Sequence, residues 1–313
     1  MANVPEALSA LLRSMADGVA PSAVQVTIFS DMDTATARAV REAWAGIPVE
    51  GRRAVLERLG ALVEDNIDLD FTELCRIGLD DPDAVVRRRA AEALWESIDR
   101  RVAGRLATLV LQDPDESVRG AAARGLGPIV LERELGRMPA LEGDQAVEAL
   151  RVAASPAEAS ADVRARALEA VATRTLGWVD TLISDAYYHD DRRLRLAAVR
   201  AMGVSANEEW MEFLDEQAVS EDPEFRFEAA AAFGAMGAED GIDPLCTLLA
   251  DEDAEVVKAA LFSLGELGGD VAVERLKEFL ESAEGELADL ATEALEEASF
   301  ADDRDLMRKK VGL

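Results

Sequence analysis

Few residues in this chain could carry out chemistry, and they do not form a catalytic group. His189 is the only histidine among 313 residues, so a His-based metal site or general-base dyad would need unusual partners. It stands beside Tyr187, Tyr188 and Asp190 in a segment between two predicted helices, where we interpret it as a surface turn residue. No GxxxxGK[ST], GxGxxG or GxSxG motif occurs. We therefore predict no catalytic residue, no enzyme activity, no metal and no cofactor.

Aspartates recur in pairs two residues apart, and such pairs could suggest calcium loops. The clearest are Asp81/Asp83, Asp113/Asp115 and Asp251/Asp253. However, the EF-hand pattern of ligands, central glycine and closing glutamate is missing. The second member of each pair precedes an Ala-rich helical pattern, which is the place of an N-cap residue. We predict a structural role in turns.

The charge of the chain limits its partners. The formal net charge is −30, and residues 206–313 contain 8 basic and 30 acidic side chains. A field of this sign repels phosphate backbones and anionic lipid, so we expect no nucleic-acid and no membrane partner. A basic protein partner is easier to accommodate. The same acidity would also keep a long helical array soluble, which is an equally good explanation of it.

The cysteines and the apolar segments indicate the cellular compartment in which the protein is expected. Cys75 and Cys246 occupy apolar positions of helical patterns, and we interpret both as reduced core residues. The N-terminus predicts an amphipathic helix and not a signal peptide, and no apolar run approaches the roughly 20 residues that span a bilayer. We expect a cytoplasmic protein that acts as a monomer.

A repeat of 31 residues positions these side chains. We align the chain on the apolar residue that follows each acidic turn and opens an Ala-rich helix. These anchors are Val86, Val118, Val163, Leu194, Phe225, Val256 and Leu287, with separations of 32, 45, 31, 31, 31 and 31 residues. Four consecutive equal spacings establish the repeat.

Each repeat predicts two helices. Alanine stands four residues after every anchor and an apolar residue stands eight after it, so the three positions share one helical stripe. A small residue in the middle of the stripe lets a neighbouring helix approach closely. A second amphipathic helix repeats upstream, most clearly at Leu245, Leu248 and Leu249. The fold class is therefore all-α, an α-solenoid of about eight helix hairpins.

Charged residues recur at the turn of each hairpin. N-cap types lie three residues before the anchors, and an arginine lies one residue after most of them. Such an arginine can reach the capping aspartate of its own or the adjoining turn through charge-assisted hydrogen bonds. We predict a structural ladder that includes Asp83, Arg87, Asp115, Arg119, Asp191, Arg195, Asp222 and Arg226.

The strings DDPDAVVRRRAAEAL, QDPDESVRGAAARGLG and EDPEFRFEAAAAFG resemble HEAT repeats, in particular the short bacterial type also called phycobilisome-lyase HEAT-like repeats. The resemblance implies the fold but not one function, because the same repeat serves adaptors, scaffolds, lyases, a hydroxylase and glycosylases. The hydroxylase family uses His-Glu pairs for di-iron, whereas His189 is followed by Asp190. The glycosylases that handle DNA are basic, and this chain is acidic.

The repeat also predicts the organisation of the chain. Residues 1–68 would form capping helices and a degenerate repeat, 69–299 the HEAT array, and 300–313 a frayed tail. The 45-residue step places an insertion around 128–160, which would bend the array or form a protruding loop. Val24 to Phe29 is the one place where a short extended segment would fit.

Function is expected on the surface of the second helices. Positions two and six after each anchor face away from the buried stripe, and in the later repeats they include apolar residues. The residues predicted to contact a partner are Arg88, Arg124, Leu196, Arg200, Phe227, Lys258 and Phe262. Burial of Phe227 and Phe262 in the core is the competing interpretation. We predict a non-enzymatic scaffold that binds another protein; the alternative is a lyase-like protein that binds a chromophore or another small molecule.

Overall fold

A computed structural model describes residues 5–66, 68–155 and 159–311, and the regular structure of these residues is helical throughout, with no strand. The all-α fold class is thus confirmed. The segment that would fit an extended piece is helical as well: Ala23–Val26 forms a short helix, followed by a 3-10 turn at Thr27–Phe29. Ser22 and Gln25 form a capping box there, which stabilises the helical conformation over the extended one.

The chain divides into two compact units, Met1–Arg174 and Thr175–Leu313. Each unit is a stack of antiparallel helix hairpins, so each is a stretch of α-solenoid. The division falls inside the array predicted over 69–299, so those boundaries describe the repeat and not the compact units.

The N-terminal unit begins with a single helix, and helix hairpins follow it. Its helices are α1 (Glu6–Ala16), α2 (Ala23–Val26), α3 (Thr34–Trp44), α4 (Val49–Asp65), α5 (Thr72–Gly78), α6 (Ala84–Glu92), α7 (Arg100–Gln112), α8 (Glu116–Gly125), α9 (Gly127–Glu134), α10 (Ala140–Ala154) and α11 (Ala161–Val171). The second helices α4, α6, α8 and α11 pack against one another in this order.

The described residues of the C-terminal unit form four consecutive helix hairpins. Their bounds are α12 (Gly177–Tyr187), α13 (Arg192–Ser205), α14 (Met211–Ala218), α15 (Pro223–Met236), α16 (Ile242–Leu248), α17 (Ala254–Leu267), α18 (Gly269–Leu280) and α19 (Glu286–Val311). The second helices again form the most closely packed layer, in the order α13, α15, α17 and α19.

The residues at the repeated apolar positions form the core of both units. Every alanine at the fourth position after an anchor is fully buried, from Ala90 to Ala291. The anchors and the apolar residues eight positions later are buried as well, except in the last hairpin, where Leu287 and Leu295 are half-buried. No later hairpin covers these two leucines within the described residues, so the repeat ends with an open side.

Glycines set the distance between the second helices of the C-terminal unit. A Cβ on Gly203 would lie 2.6 Å from Cα of Ala232, and one on Gly234 would lie 2.7 Å from Cβ of Ser263. Gly265 is placed in the same way against Ala294. The same contact therefore recurs in each repeat, because only a residue without a side chain lets two helix backbones approach this closely.

The insertion and the C-terminal segment are both largely helical. The extra residues of the long repeat form α9, which packs against α10 and α11, so they do not form a protruding loop. Part of the SPAEAS segment, residues 156–158, lies outside the described residues. Residues 300–311, expected to be part of a tail, continue α19 as far as Val311. None of the described helices combines the length and the apolar character needed to cross a bilayer.

Candidate partner-binding surface

The capping aspartates stand where the sequence placed them. Asp83, Asp115, Asp191 and Asp222 each accept a hydrogen bond from a backbone N–H in the first turn of the following helix. Hydrogen bonds from Arg193, first through its side chain and then through its backbone, lower the pKa of Asp191 to about 2. These carboxylates are therefore ionised N-caps.

The arginines of the ladder pair with a different aspartate from the one predicted. Arg87 donates from Nε and Nη2 to Asp113, at 2.7 and 2.9 Å, and not to a capping residue. Arg226 makes the same bidentate pair with Asp251, at 2.7 and 2.8 Å. The partner in each case is the first aspartate of the next turn. Arg52 likewise pairs with Asp81.

Two ladder positions lack this pair in the described part of the chain. Arg119 donates to the carbonyl of Asp113 at 2.9 Å, and its equivalent partner position, 158, lies outside the described residues. Arg195 donates to the carbonyls of His189 and Asp190, and the equivalent position in the next turn is Ser220. A carboxylate five residues before the next anchor is thus the sequence signal that identifies a partner for the arginine.

His189 belongs to this turn structure. Its Nδ1 accepts a hydrogen bond from the backbone N–H of Asp191 at 2.9 Å, as Asp81 accepts one from Asp83 and Asp251 one from Asp253. The imidazole therefore takes the place of the first aspartate of the turn. Among the described residues, no group of three or more His, Cys, Asp and Glu side chains is arranged to hold a metal ion.

The two cysteines differ in burial. Cys75 is buried, and this burial raises the pKa of its thiol to about 12, so the thiol is protonated and unreactive at neutral pH. Cys246 is half-buried and also has a raised pKa, chiefly through desolvation. Both are free thiols, as the sequence predicted.

The seven residues predicted to contact a partner are divided between the two units. Arg88 and Arg124 lie in the N-terminal unit; the other five lie in the C-terminal unit. Arg88 is half-buried and donates to Glu92 one turn later, at 2.5 Å. Arg124 is exposed and makes no salt bridge within the described part of the chain.

In the C-terminal unit, positions two and six do not all face solvent. Leu196 is only 4% exposed and is therefore a core residue, contrary to the expectation that it would contact a partner. Helix α13 packs against both α12 and α15, and Leu196 is buried within this packing. Phe227, at the same position of α15, is half-buried. Phe262, at the sixth position of α17, is 66% exposed.

Charged residues surround Phe262, and the cations among them are paired. Lys258, one turn before it, donates to Glu255 and Glu286 at 3.0 and 2.9 Å. Arg200 of α13 pairs with Glu228 of α15. The positive charges are therefore neutralised by these glutamates, and the remaining charge around Phe262 is negative. We define the Phe262 surface as the exposed and half-buried residues at positions two, six and ten of the second helices, namely Arg200, Val204, Phe227, Ala231, Ala235, Lys258, Phe262, Glu266, Asp289, Glu293 and Glu297.

Glu266 shows the excess of negative charge most clearly, and the sequence analysis missed it. It lies one turn after Phe262, on the same side of α17. Desolvation raises its pKa, and the negative charge of Glu297 on α19 raises it further. A cation placed there would relieve this repulsion. The position of Glu266 was the available signal in the sequence. It stands ten residues after the anchor, on the same helical stripe as positions two and six.

A separate depression of about 800 Å³ lies between the first helices α7 and α10 of the N-terminal unit. Gly104 and Ala107 line it, and the exposed Leu111 and Leu141 add apolar surface. Nearby carboxylates are already ion-paired, as Asp144 is with Arg133 at 2.8 Å. The depression therefore has apolar character without a marked charge.

Comparison with known proteins identifies the family. A model of HEAT repeats matches residues 72–172, 179–261 and 211–296, which is well over half of the chain. The comparison with curated protein sequences gave no significant match. The complex of CpcE and CpcF of phycocyanin lyase from Nostoc sp. PCC7120 has a similar structure, with 18% identity, coverage of 90% of this chain and 96% of that chain, and a TM-score of 0.52.

Two further solved structures match at lower TM-scores. Importin beta shares 15% identity over 94% of this chain and 46% of its own, with a TM-score of 0.48. Human deoxyhypusine hydroxylase shares 17% identity over 95% of this chain and 100% of its own, with a TM-score of 0.35. At 18% identity, the likeness to the lyase complex shows the fold and not the activity. The matched repeats cover both compact units, and the chain belongs to the HEAT-repeat family.

Proposed function

We propose that this protein is a non-enzymatic scaffold that binds a segment of another protein on the Phe262 surface. The observation that carries the proposal is the exposure of Phe262 in the middle of a buried helix layer, whereas Phe225 and Phe233 of the preceding repeat are buried. A large aromatic side chain left in solvent is a typical anchor of a protein interface.

The charge around this anchor supports a cationic partner. Glu266, Asp289, Glu293 and Glu297 lie on the same surface, and the nearest cation, Lys258, is held between two glutamates. An apolar centre with a charged rim is the usual composition of a protein interface. The partner segment would place an apolar side chain against Phe262 and basic side chains toward the acidic rim, and this charge match would also accelerate association.

Peptide selection on the whole protein tests the proposal. We expect peptides selected from a random displayed library to combine an apolar anchor with lysine or arginine. Their affinity, measured by fluorescence anisotropy, should fall by about thirtyfold in Phe262→Ala, since truncation of a central aromatic anchor costs about 2 kcal/mol. Val219→Ala is the matched control, because Val219 is 77% exposed in the same unit but lies at a turn.

Three outcomes would contradict the proposal. Selected peptides without basic residues would contradict the predicted preference for a cationic partner. An unchanged affinity in Phe262→Ala would show that the peptide does not bind at the Phe262 surface. Tight retention of a tetrapyrrole by the purified protein would instead favour the lyase-like alternative. Thermal unfolding of Phe262→Ala should match the wild type, because the side chain is mostly exposed.

A further inference from the structure

The first helices of the N-terminal unit enclose a small pocket rich in arginine. Helices α3, α5 and α7 form a depression of about 320 Å³ lined by Thr34, Ala37, Arg38, Arg41, Glu73, Arg76 and Arg101. Four guanidinium groups thus meet one carboxylate in the lining. Such a local excess of positive charge is unexpected in a chain of net charge −30.

Neighbouring carboxylates use only part of this positive charge. Glu73 accepts hydrogen bonds from Arg76 and Arg101, at 2.9 and 2.7 Å, so two cations share one anion. Asp80 forms salt bridges with both Arg41 and Arg105, at 3.1 and 2.8 Å. Arg101 also pairs with Asp99, and Arg38 pairs with Glu42. Five arginines therefore meet four carboxylates, which leaves one positive charge in excess.

The guanidinium groups also retain hydrogen-bond donors. Arg41 donates from Nη1 to Asp80, and Arg38 donates from Nε to Glu42. Arg76 donates from Nη1 alone, which contacts both carboxylate oxygens of Glu73. A guanidinium carries five N–H donors, so each of these arginines has further donors available to a ligand in the pocket.

These arginines differ from the structural arginines of the ladder. The side chains of Arg87 and Arg226 are 10% exposed, and each donates from three nitrogens to a carboxylate and to backbone carbonyls. The four arginine side chains that line the pocket are 32% to 81% exposed. The ladder arginines are fully used within the fold, whereas the pocket arginines are accessible and only partly used.

We propose that this pocket binds a phosphate group. Arginine forks bind phosphate through paired N–H donors, and a tetrahedral oxyanion can accept from several guanidinium groups at once. Phosphate also offers more acceptor oxygens than a carboxylate does, so it can use more of the remaining N–H donors of these arginines. The site lies in the N-terminal unit and is independent of the Phe262 surface.

Titration with inorganic phosphate at low ionic strength is the test. We expect saturable binding of one phosphate per chain in calorimetry, with acetate binding much more weakly. The affinity should fall by at least about tenfold in the double variant Arg41→Gln/Arg76→Gln. Arg100→Gln is the matched control, because Arg100 is exposed next to Arg101 but does not line the pocket.

A second measurement keeps the test decisive if the double variant is unstable. In the wild type, added phosphate should shift the Nε–Hε signals of Arg38, Arg41 and Arg76 in a nitrogen–proton correlation spectrum. A phosphoserine peptide, compared with its unphosphorylated form, shows whether peptide-borne phosphate binds more tightly than free phosphate. No saturable binding of either phosphate probe, equal binding of acetate, or an equal loss in Arg100→Gln would overturn the proposal.

Discussion

Each inter-helix turn with an aspartate pair gives its two acidic residues different tasks. The second aspartate caps a helix, and the first accepts from an arginine of the preceding hairpin and from the backbone within its own turn, as Asp251 does from Arg226 and from the N–H of Asp253. The pair is almost buried, with 10% of the Arg226 side chain and 8% of the Asp251 side chain exposed. One carboxylate therefore connects two consecutive repeats.

Substitution of Asp251 by asparagine should destabilise the C-terminal unit by about 3 kcal/mol at pH 7, because it leaves a buried guanidinium without its counter-charge. The matched control is Glu252→Gln, an exposed neighbour that should have little effect. Urea unfolding of both variants measures the difference. Equal stability of Asp251→Asn and the wild type would show that the ladder contributes nothing.

The same pair predicts a dependence on pH. The hydrogen bonds from Arg226 hold the pKa of Asp251 below its ordinary value. A carboxyl group whose pKa is lowered by folding stabilises the protein above its unfolded pKa of about 4 and loses that contribution as the pH falls. The stability difference between the wild type and Asp251→Asn should therefore be largest near neutral pH and decrease below about pH 4. A difference that grows on acidification would contradict the assignment.

At the scale of elements, close contacts between second helices hold the repeats of the C-terminal unit together. Gly234 faces Ser263, whose hydroxyl donates to the carbonyl of Ala230 at 2.9 Å. An added methyl group at Gly234 would lie 2.5 Å from that hydroxyl oxygen and 3.0 Å from Cα of Ser263. Both the side chain and the backbone of α17 would have to move.

Gly234→Ala should therefore lower the free energy of unfolding by about 1–3 kcal/mol, the usual cost of an overpacked core. Gly60→Ala is the control, because a Cβ at Gly60 meets nothing within 4 Å and alanine favours the helix by about 1 kcal/mol. Chemical denaturation should thus show opposite signs for the two substitutions. A stabilised Gly234→Ala would mean that α15 and α17 can separate without cost.

The helices could be predicted from the sequence because the residues that indicate a helix lie within that helix or next to it. The anchors, the alanines and the capping aspartates repeat at fixed offsets, and one helix is enough to identify each signal. Exposure at positions two and six was not predictable in the same way. Leu196 and Phe262 are both apolar residues of the predicted surface stripe, but one is buried and the other exposed, because exposure depends on the neighbouring helices and not on the local sequence. The partner of each ladder arginine also depends on the next hairpin.

On the scale of the whole molecule, charge is distributed unevenly along the chain. Residues 206–313 contain 30 acidic and 8 basic residues, whereas the arginine pocket lies in the N-terminal unit. The proposed surfaces therefore attract ligands of opposite sign and belong to different compact units. The HEAT family and the fold follow from the repeat, but the choice of ligand follows from side chains at its variable positions.

Chemical-shift mapping tests the central claim most directly. A selected cationic peptide, added stepwise to the isotope-labelled full chain at moderate salt, should shift signals of Phe227, Ala231, Lys258 and Phe262 together and with a common affinity. Raising the salt should weaken that affinity, because the acidic rim contributes attraction that counter-ions screen. Shifts confined to residues of α7 and α10, with no change in α15 and α17, would contradict the account.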